Sequence, residues 1–414
     1  MERTVLHSDL NNFYASVECF LNPSLRGHPV AVVGNPELRH GIVLAKNYEA
    51  KRFGVQTGEA LWQAREKCPD IIFVPPHYDK YIEYSDAVRK IYGEYTDMVE
   101  PFGLDECWLD VTGSQRLFGS GVTIADEIRS RVKRELGVTV SVGVSYNKIF
   151  AKLGSDMKKP DATTVIDREH FKAQIWHLPV SDLLYIGRST AAKLHRFGIK
   201  TIGDLAKADT KFLTYLLGKN GLMLHSFANG LDTSPVAVWG VAPAEKSISC
   251  GNTASRDIVT DDDIKIMLLT LSTKVSERLR AKGFLCCTVR LFVRTYDLAS
   301  YMRQAKLPHP CRTSREIFDA VYTLFKNNHP HGMATRSVTV GAADLIFDDG
   351  EQFSFDPDIA RIQRRESLER AYDSLKEKYG SSIIKRGLVM TDEALCTVDL
   401  KNTPGIMPGW MKMG

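Results

Sequence analysis

Hydrophobic and polar positions alternate in "TVLHSDL", residues 4–10, and the alternation predicts a strand ending near Asp9. "NNFYASVECFL" follows with Phe13, Val17 and Phe20 at helical spacing. Strand runs recur at 29–34 and 41–45, and "NYEAKRFGV" at 47–55 predicts a short helix stopped by Gly54. A tyrosine-rich helical pattern covers 78–98. "FGLDECWLDV" reads as a strand pair, 123–136 as an amphipathic helix and 139–146 as a strand. Strands alternating with helices predict an α/β sheet with helices on one face.

The pattern changes after about residue 166. Residues 183–209 read as helix, Gly-turn, helix, Gly-turn, helix. The stretch "SPVAVWGVAPAE" at 234–245 has two prolines and no helical period, which predicts a linker. Beyond it, 245–345 predicts a second mixed module: a helix at 261–281, a strand at 285–295, a helix at 313–326 and a strand at 336–345. An acidic stretch, "FDDGEQFSFDPD", and a charged helix, "IARIQRRESLERAYDSLKEKYG", make up most of the tail.

Composition adds limits. At 414 residues, 43% hydrophobic and 25% charged, the chain has room for two to four domains and a normal core. The net charge is only +4, yet 245–345 holds 15 Lys+Arg against 10 Asp+Glu. That local surplus permits a nucleic-acid partner. The eight cysteines form no C-x-x-C pair, so neither a zinc site nor a disulfide framework is expected. "MERTVLHSDL" lacks a signal-peptide pattern, and no apolar run approaches a membrane span. A soluble, cytoplasmic protein is expected.

The chemistry concentrates in "EPFGLDECWLD" at 100–110, where Asp105 and Glu106 are adjacent acids in an apolar setting. In a strand they would point to opposite faces, so a shared site needs a turn or bulge, and Gly103 permits one. Acids held close resist joint ionisation unless a cation compensates, and oxygen-only ligands suit Mg²⁺. Asp9, at the end of the first strand, is the third acid. Three such carboxylates can hold two metals for phosphoryl transfer. The plain alternative is an exposed acidic turn.

Four motifs stand in order: "HSDLNNFYASVE" at 7–18, "NYEAKRFGV" at 47–55, "GLDECWLDVT" at 103–112 and "VGVSYNKIFAKLGSDMKKP" at 142–160. With the glycine turns after them, they closely resemble the Y-family, or translesion, DNA polymerases of the bacterial polymerase IV type, over about residues 3 to 345. The resemblance implies an α+β multidomain right-hand fold. It places a ferredoxin-like palm at 1–18 and 78–166, small fingers at 19–77, a helix-hairpin-helix thumb at 167–233, a linker at 234–244, an α/β little finger at 245–345 and a tail at 346–414. It implies low-fidelity, template-directed addition of deoxynucleotides to a primer in DNA damage tolerance and repair.

Residue by residue, Asp9, Asp105 and Glu106 match the family's catalytic metal ligands. The Leu10 carbonyl completes the shell of two Mg²⁺ ions, for which Mn²⁺ can substitute. Tyr14 matches the steric gate against a ribose 2′-hydroxyl, beside Phe13. Tyr48, Lys51, Arg52 and Lys159 match the triphosphate clamp. The family usually has arginine before lysine here; the reversed order leaves open whether Lys51 or Arg52 reaches the phosphates. The family's second acid in the first motif is Asn11 in this chain. Lys148 and Lys152 would support the palm or the phosphates. Gly187, Gly198 and Lys200 fall in hairpin turns that bind DNA phosphates, and Arg290, Arg294 and Arg336 lie on the module that would follow the duplex. Gln352, Phe353 and Phe355 resemble a sliding-clamp-binding peptide, though without its usual leucine-phenylalanine ending. The implied partners are primer-template DNA, deoxynucleoside triphosphates and the clamp, with no membrane, and a monomer near the bacterial nucleoid. Two rivals are a nucleotide cyclase-like enzyme, which would not need the thumb or the basic module, and a non-catalytic DNA- or clamp-binding paralogue, which would have no reason to keep the three acids.

Overall fold

Among the described residues of the computed structural model, eight strands run through the first 166 positions: β1 (Val5–Leu10), β2 (Val30–Val33), β3 (Val43–Lys46), β4 (Ile72–Val74), β5 (Val99–Pro101), β6 (Glu106–Asp110), β7 (Val140–Ser145) and β8 (Thr163–Ile166). The structure describes residues 2–35, 41–241, 244–348 and 359–395, apart from 381, 382, 385, 393 and 394. These divide into two compact units, one including Ile42–Val241 and the N-terminal strand, the other including everything described from 244 onward.

In the first unit, five strands form one sheet in the order β5-β6-β1-β7-β8. β1 lies at its centre and is buried throughout. It pairs antiparallel with β6, setting Asp9 opposite Glu106, and with β7, setting Asp9 opposite Ser141. Alternation then sorts the side chains. Leu6 and Leu10 share one face with Cys107, Leu109, Val142 and Val144, in a core closed by the helices Tyr78–Gly93 and Gly121–Leu136. Val5 and Trp108 fall on the opposite face, against Ala151 of the helix Lys148–Met157.

Helices therefore cover both faces of this sheet, not the single face predicted. The reason is local. A Cβ on Gly143 would lie 1.9 Å from the Ala151 carbonyl oxygen, so only glycine lets this helix pack so tightly on β7. The close approach brings Lys152 and Ser155 down onto the face that carries His7, Asp9 and Glu106.

A second, three-stranded sheet, β3-β2-β4, packs with the short helices Tyr48–Arg52 and Leu61–Lys67 around Val43, Ala50 and Ala64. Residues 171–228 are helical, with Ile175, Leu194, Ile202 and Leu213 in their core. The described residues of the stretch expected to be a linker have no regular structure, yet Val236 is buried beside Trp108 and the Trp239 amide bonds to the Asp97 carbonyl at 2.8 Å.

The second unit carries a four-stranded antiparallel sheet in the order β11 (Ser300–Cys311), β10 (Phe284–Thr295), β12 (Thr335–Phe347), β9 (Ser247–Ile258). The helices Asp261–Ala281 and Ser314–Asn328 pack on it. Both edge strands go beyond the sequence reading. β11 is exposed along most of its length and contains Pro308 and Pro310, which an edge strand tolerates. β9 buries small residues such as Cys250 and Ala254, which give little strand signal. The helix Ile359–Tyr379 follows, as its charged pattern predicted.

Candidate active site

Asp9 and Glu106 are cross-strand neighbours because β1 and β6 share a register. Asp105 lies just before β6, in the bend that starts at Gly103, whose φ is +100°. The bend lets the adjacent acids avoid opposite faces of a strand. Three bonds hold it. The Leu10 amide donates to the Asp105 carbonyl at 2.9 Å. From the helix Tyr78–Gly93, Ser85 Oγ donates to the Leu104 carbonyl at 2.5 Å and Arg89 Nη2 to the Gly103 carbonyl at 2.7 Å. One turn further on, Tyr92 donates to Ser8 Oγ at 2.7 Å, beside Asp9. Residues 85, 89 and 92 lie on one face of that helix, which therefore sets the height of the whole acidic hairpin.

Cations from the opposite helix and the segment just after it meet the acids. Lys152 Nζ lies 3.2 Å from Asp9 Oδ2, 2.9 Å from Glu106 Oε1 and 3.2 Å from Asp156 Oδ2. Lys159 Nζ lies 2.8 Å from Asp9 Oδ2 and 2.9 Å from Asp156 Oδ1. Burial raises the Asp9 carboxyl above its ordinary value, against the pull of Lys152. Asp105 is pushed up to about 7, first by burial and then by Glu106 and Asp9. Lys152 is held charged by Asp9 and Glu106 in spite of its burial.

Four carboxylates thus face two ammonium groups, and the site has negative charge to spare. Among the described residues Glu106 Oε2 is buried without a hydrogen-bond partner. It faces His7 Nε2 at 3.4 Å, also unpartnered, on a ring that burial keeps neutral. Among the described residues no group of three or more His, Cys, Asp or Glu is closed into a ready cage, because the two ammonium groups sit between the acids. The unpartnered oxygen, the raised Asp105 and the surplus charge all fit a divalent cation. The donors are oxygens only, as a hard ion requires.

The remaining residues fall into place around this centre. Tyr14 stacks on Tyr81 with centroids 4.2 Å apart and planes at 10°, and Phe13 lies behind at 5.4 Å. Tyr48 starts its helix near Lys159 and Asp9, and burial raises its hydroxyl. Lys51 lies 5.6 Å from the Tyr48 ring centroid, and both it and Arg52 are exposed. Asn11, where the resemblance leads one to expect an acid, is buried. It donates to Ser141 Oγ and accepts from Thr139 Oγ1 and the Asp161 amide, tethering the segment that carries Lys159. Lys148 bonds both Glu100 oxygens at 2.7 Å and lies 4.5 Å from the Trp108 ring centroid, so it supports the sheet.

Gly187 caps the helix Arg188–Arg196, and Gly198 turns out of it with φ +78°. A Cβ at either would meet open space, so the glycines leave their backbone accessible. The Lys200 amide donates to Asp204 at 3.0 Å. Arg290 and Arg294 share the outer face of β10. Arg336 sits where the pairing of β12 shifts register, which frees it from the alternation that would point it into the core. Gln352, Phe353 and Phe355 lie outside the described residues.

Sequence reading missed Asp156 and understated Lys152. Their signal was present: Lys148, Lys152, Asp156 and Lys159 recur at nearly helical spacing, one stripe of mixed charge.

Comparison with known proteins decides what this centre belongs to. Residues 8–156 match the impB/mucB/samB family, 245–355 its C-terminal domain, and 181–232 a DNA polymerase-iota thumb domain. A DNA polymerase IV of Acetivibrio thermocellus is 49% identical over 396 residues, spanning 95% of this chain and 99% of the relative. The chain belongs to the Y-family DNA polymerases, of the DNA polymerase IV type. A DNA polymerase IV of Moorella thermoacetica is 39% identical, spanning 94% of this chain and 96% of the relative. A solved Y-family DNA polymerase chimera superposes with a TM-score of 0.73 at 25% identity, covering 83% of this chain and 99% of its own. The fold is that of a right-hand polymerase with mixed α/β parts. Membership makes the protein a DNA-directed DNA polymerase that depends on a divalent metal, with DNA and nucleotides as substrates. No helix among the described residues is long and apolar enough to cross a membrane.

Proposed function

We propose that the protein adds deoxynucleotides to a primer 3′ end by two-metal-ion nucleotidyl transfer, at low fidelity and across damaged templates. The observation that carries this is the surplus of negative charge at Asp9, Asp105, Glu106 and Asp156 over Lys152 and Lys159, with Glu106 Oε2 left unpartnered. Asp9, Asp105 and Glu106, with the Leu10 carbonyl, would hold two Mg²⁺ ions, for which Mn²⁺ can substitute. Divalent ions held there would supply Lewis-acid chemistry for the primer hydroxyl and the leaving pyrophosphate.

The chain's own residues do the rest. Tyr48, Lys51 or Arg52, and Lys159 orient the triphosphate through a hydroxyl and fixed cations. Lys159 pairs with Asp9 and Asp156, which holds its ammonium group beside the acids, where the triphosphate would lie. Tyr14, with Phe13 behind it, closes the space a 2′-hydroxyl would need. In domain terms, the five-stranded sheet is the palm, residues 19–77 the fingers, 167–233 the thumb, 234–244 the linker, 245–345 the little finger and 346–414 the tail. Gly187, Gly198 and Lys200 bind the DNA backbone in the thumb, and Arg290, Arg294 and Arg336 in the little finger, all without reading sequence. Gln352, Phe353 and Phe355 engage the sliding clamp. The working form is a cytoplasmic monomer on DNA at the nucleoid.

Primer extension tests this directly. Wild type with Mg²⁺ and four deoxynucleotides extends the primer, and Glu106→Ala does not, at unchanged DNA affinity. Extension by Glu106→Ala at the wild-type rate would remove the carboxylates from the chemistry.

A further inference from the structure

Glu18 is a buried carboxylate that the reaction above does not use. Its side chain is 6% exposed, and burying an acid is costly unless its oxygens are bonded. It stands four residues after Tyr14 on the helix Phe13–Leu21, so both side chains share one face. Tyr81 bridges that pair. Its ring stacks on Tyr14, and its hydroxyl donates to Glu18 Oε1 at 2.5 Å. His77 Nδ1 donates to the same carboxylate, at 2.9 and 3.1 Å. Phe13 and Tyr78 close the sides of the Tyr81 ring, at 6.0 and 5.8 Å between centroids. Tyr81 itself is fully buried. Its ring cannot slide along Tyr14 without breaking the bond to Glu18.

A ring excludes one extra oxygen only if it cannot give way. Shape alone rejects an added hydroxyl weakly, by about 100-fold in an apolar pocket, so selectivity depends on how stiffly the wall is backed. Here the backing is a charge-assisted hydrogen bond made on the same helix as the gate. We infer that Glu18 is a specificity-determining residue: through Tyr81 it fixes the Tyr14 ring and so sets the choice between deoxyribose and ribose. The inference rests on the reading of Tyr14 as the sugar gate.

The experiment measures kcat/KM for a deoxynucleotide and the matching ribonucleotide opposite one template base, in wild type, Tyr81→Phe, Glu18→Gln and Tyr14→Ala. Tyr81→Phe keeps the ring and loses the bond; its ribo-to-deoxy ratio rises about 10-fold, the size expected for one charge-assisted bond. Glu18→Gln keeps an uncharged acceptor, and its ratio rises about 3-fold. Both changes come chiefly from a lower KM for the ribonucleotide. A merely structural role would lower both substrates' kcat/KM together and leave the ratio at the wild-type value, which overturns the inference. If Tyr81→Phe does not fold, Glu18→Gln decides in the same way. A ratio raised by Tyr14→Ala but by neither other variant leaves the gate standing and removes Glu18 from it. A ratio untouched by Tyr14→Ala removes the gate, and the inference with it.

Discussion

Asp105 trades stability for function. Its carboxyl is pushed up to about 7 from 3.8 because burial, Glu106 and Asp9 all oppose its charge. The folded chain therefore holds this proton more tightly than the unfolded chain does. Below pH 3.8 the group is protonated in both states and costs nothing. As pH rises from there to about 7 the unfolded state gains by ionising and the folded state does not, so stability falls; above about 7 the loss is complete. A carboxylate that is not wholly shielded from water lowers stability by roughly 2 kcal/mol in that range. Asp105→Asn, neutral at every pH, should match wild type at pH 4 and melt higher at pH 8. A divalent cation added at pH 8 should narrow the gap by stabilising wild type alone. Equal melting at pH 8 without metal would mean that Asp105 ionises freely in the fold. The three acids were legible in the sequence because each sits in a distinctive motif. The charge that balances them was legible only in part: Lys159 falls in a motif, but how far Lys152 reaches between Asp9 and Glu106 depends on a helix whose depth is set by one glycine.

That glycine is the element-scale case. Gly143 in β7 faces Ala151 in the helix Lys148–Met157, and a methyl group there would fall 1.9 Å from a backbone oxygen that cannot swing aside. Gly143→Ala must push the helix off the sheet and Lys152 away from Asp9 and Glu106. The expected cost is about 3 kcal/mol, read as a fall in the urea midpoint, together with loss of primer extension. Gly187→Ala, where a Cβ meets open space, should change the midpoint little. An unmoved midpoint in Gly143→Ala would show that the helix has room to shift. Strong periodicity made β1, β7 and β10 and the helices Gly121–Leu136 and Asp261–Ala281 readable from sequence. β9 and β11 were not, because edge strands here carry polar, small or proline residues and take their place from the neighbour they pair with. The pairing of helix Tyr78–Gly93 with the hairpin was also hidden: Ser85 and Arg89 bind carbonyls, which leave no trace in a side-chain pattern.

At the scale of the whole molecule, the two units differ in what closes them. The second is completed by the tail. Along the helix Ile359–Tyr379, Glu366, Glu369, Asp373 and Lys376 recur on one face and meet Arg312, Arg280 and Glu277 of the same unit. Glu369 is the centre. Its side chain is 8% exposed, and it accepts from the Ser314 amide at 3.0 Å, from Ser276 Oγ at 3.1 Å, and from Ser314 Oγ and Arg280 Nη1. Glu369→Ala would leave the first amide of the helix Ser314–Asn328 buried without an acceptor and deprive Arg280 of one of its two carboxylates. Removing one partner of such a network costs about 3–5 kcal/mol. All of these partners belong to the second unit, so the loss should be confined to it. The tryptophans make that visible: Trp62, Trp108, Trp176 and Trp239 lie in the first unit, and 244–395 contains none. In a Trp410→Phe background, Glu369→Ala should lower the urea midpoint seen by far-ultraviolet circular dichroism, which reports both units. The tryptophan fluorescence midpoint should stay where it was. A common shift of both signals would mean that the tail helix stabilises the first unit as well. No shift in either would mean that water replaces Glu369 at the Ser314 amide.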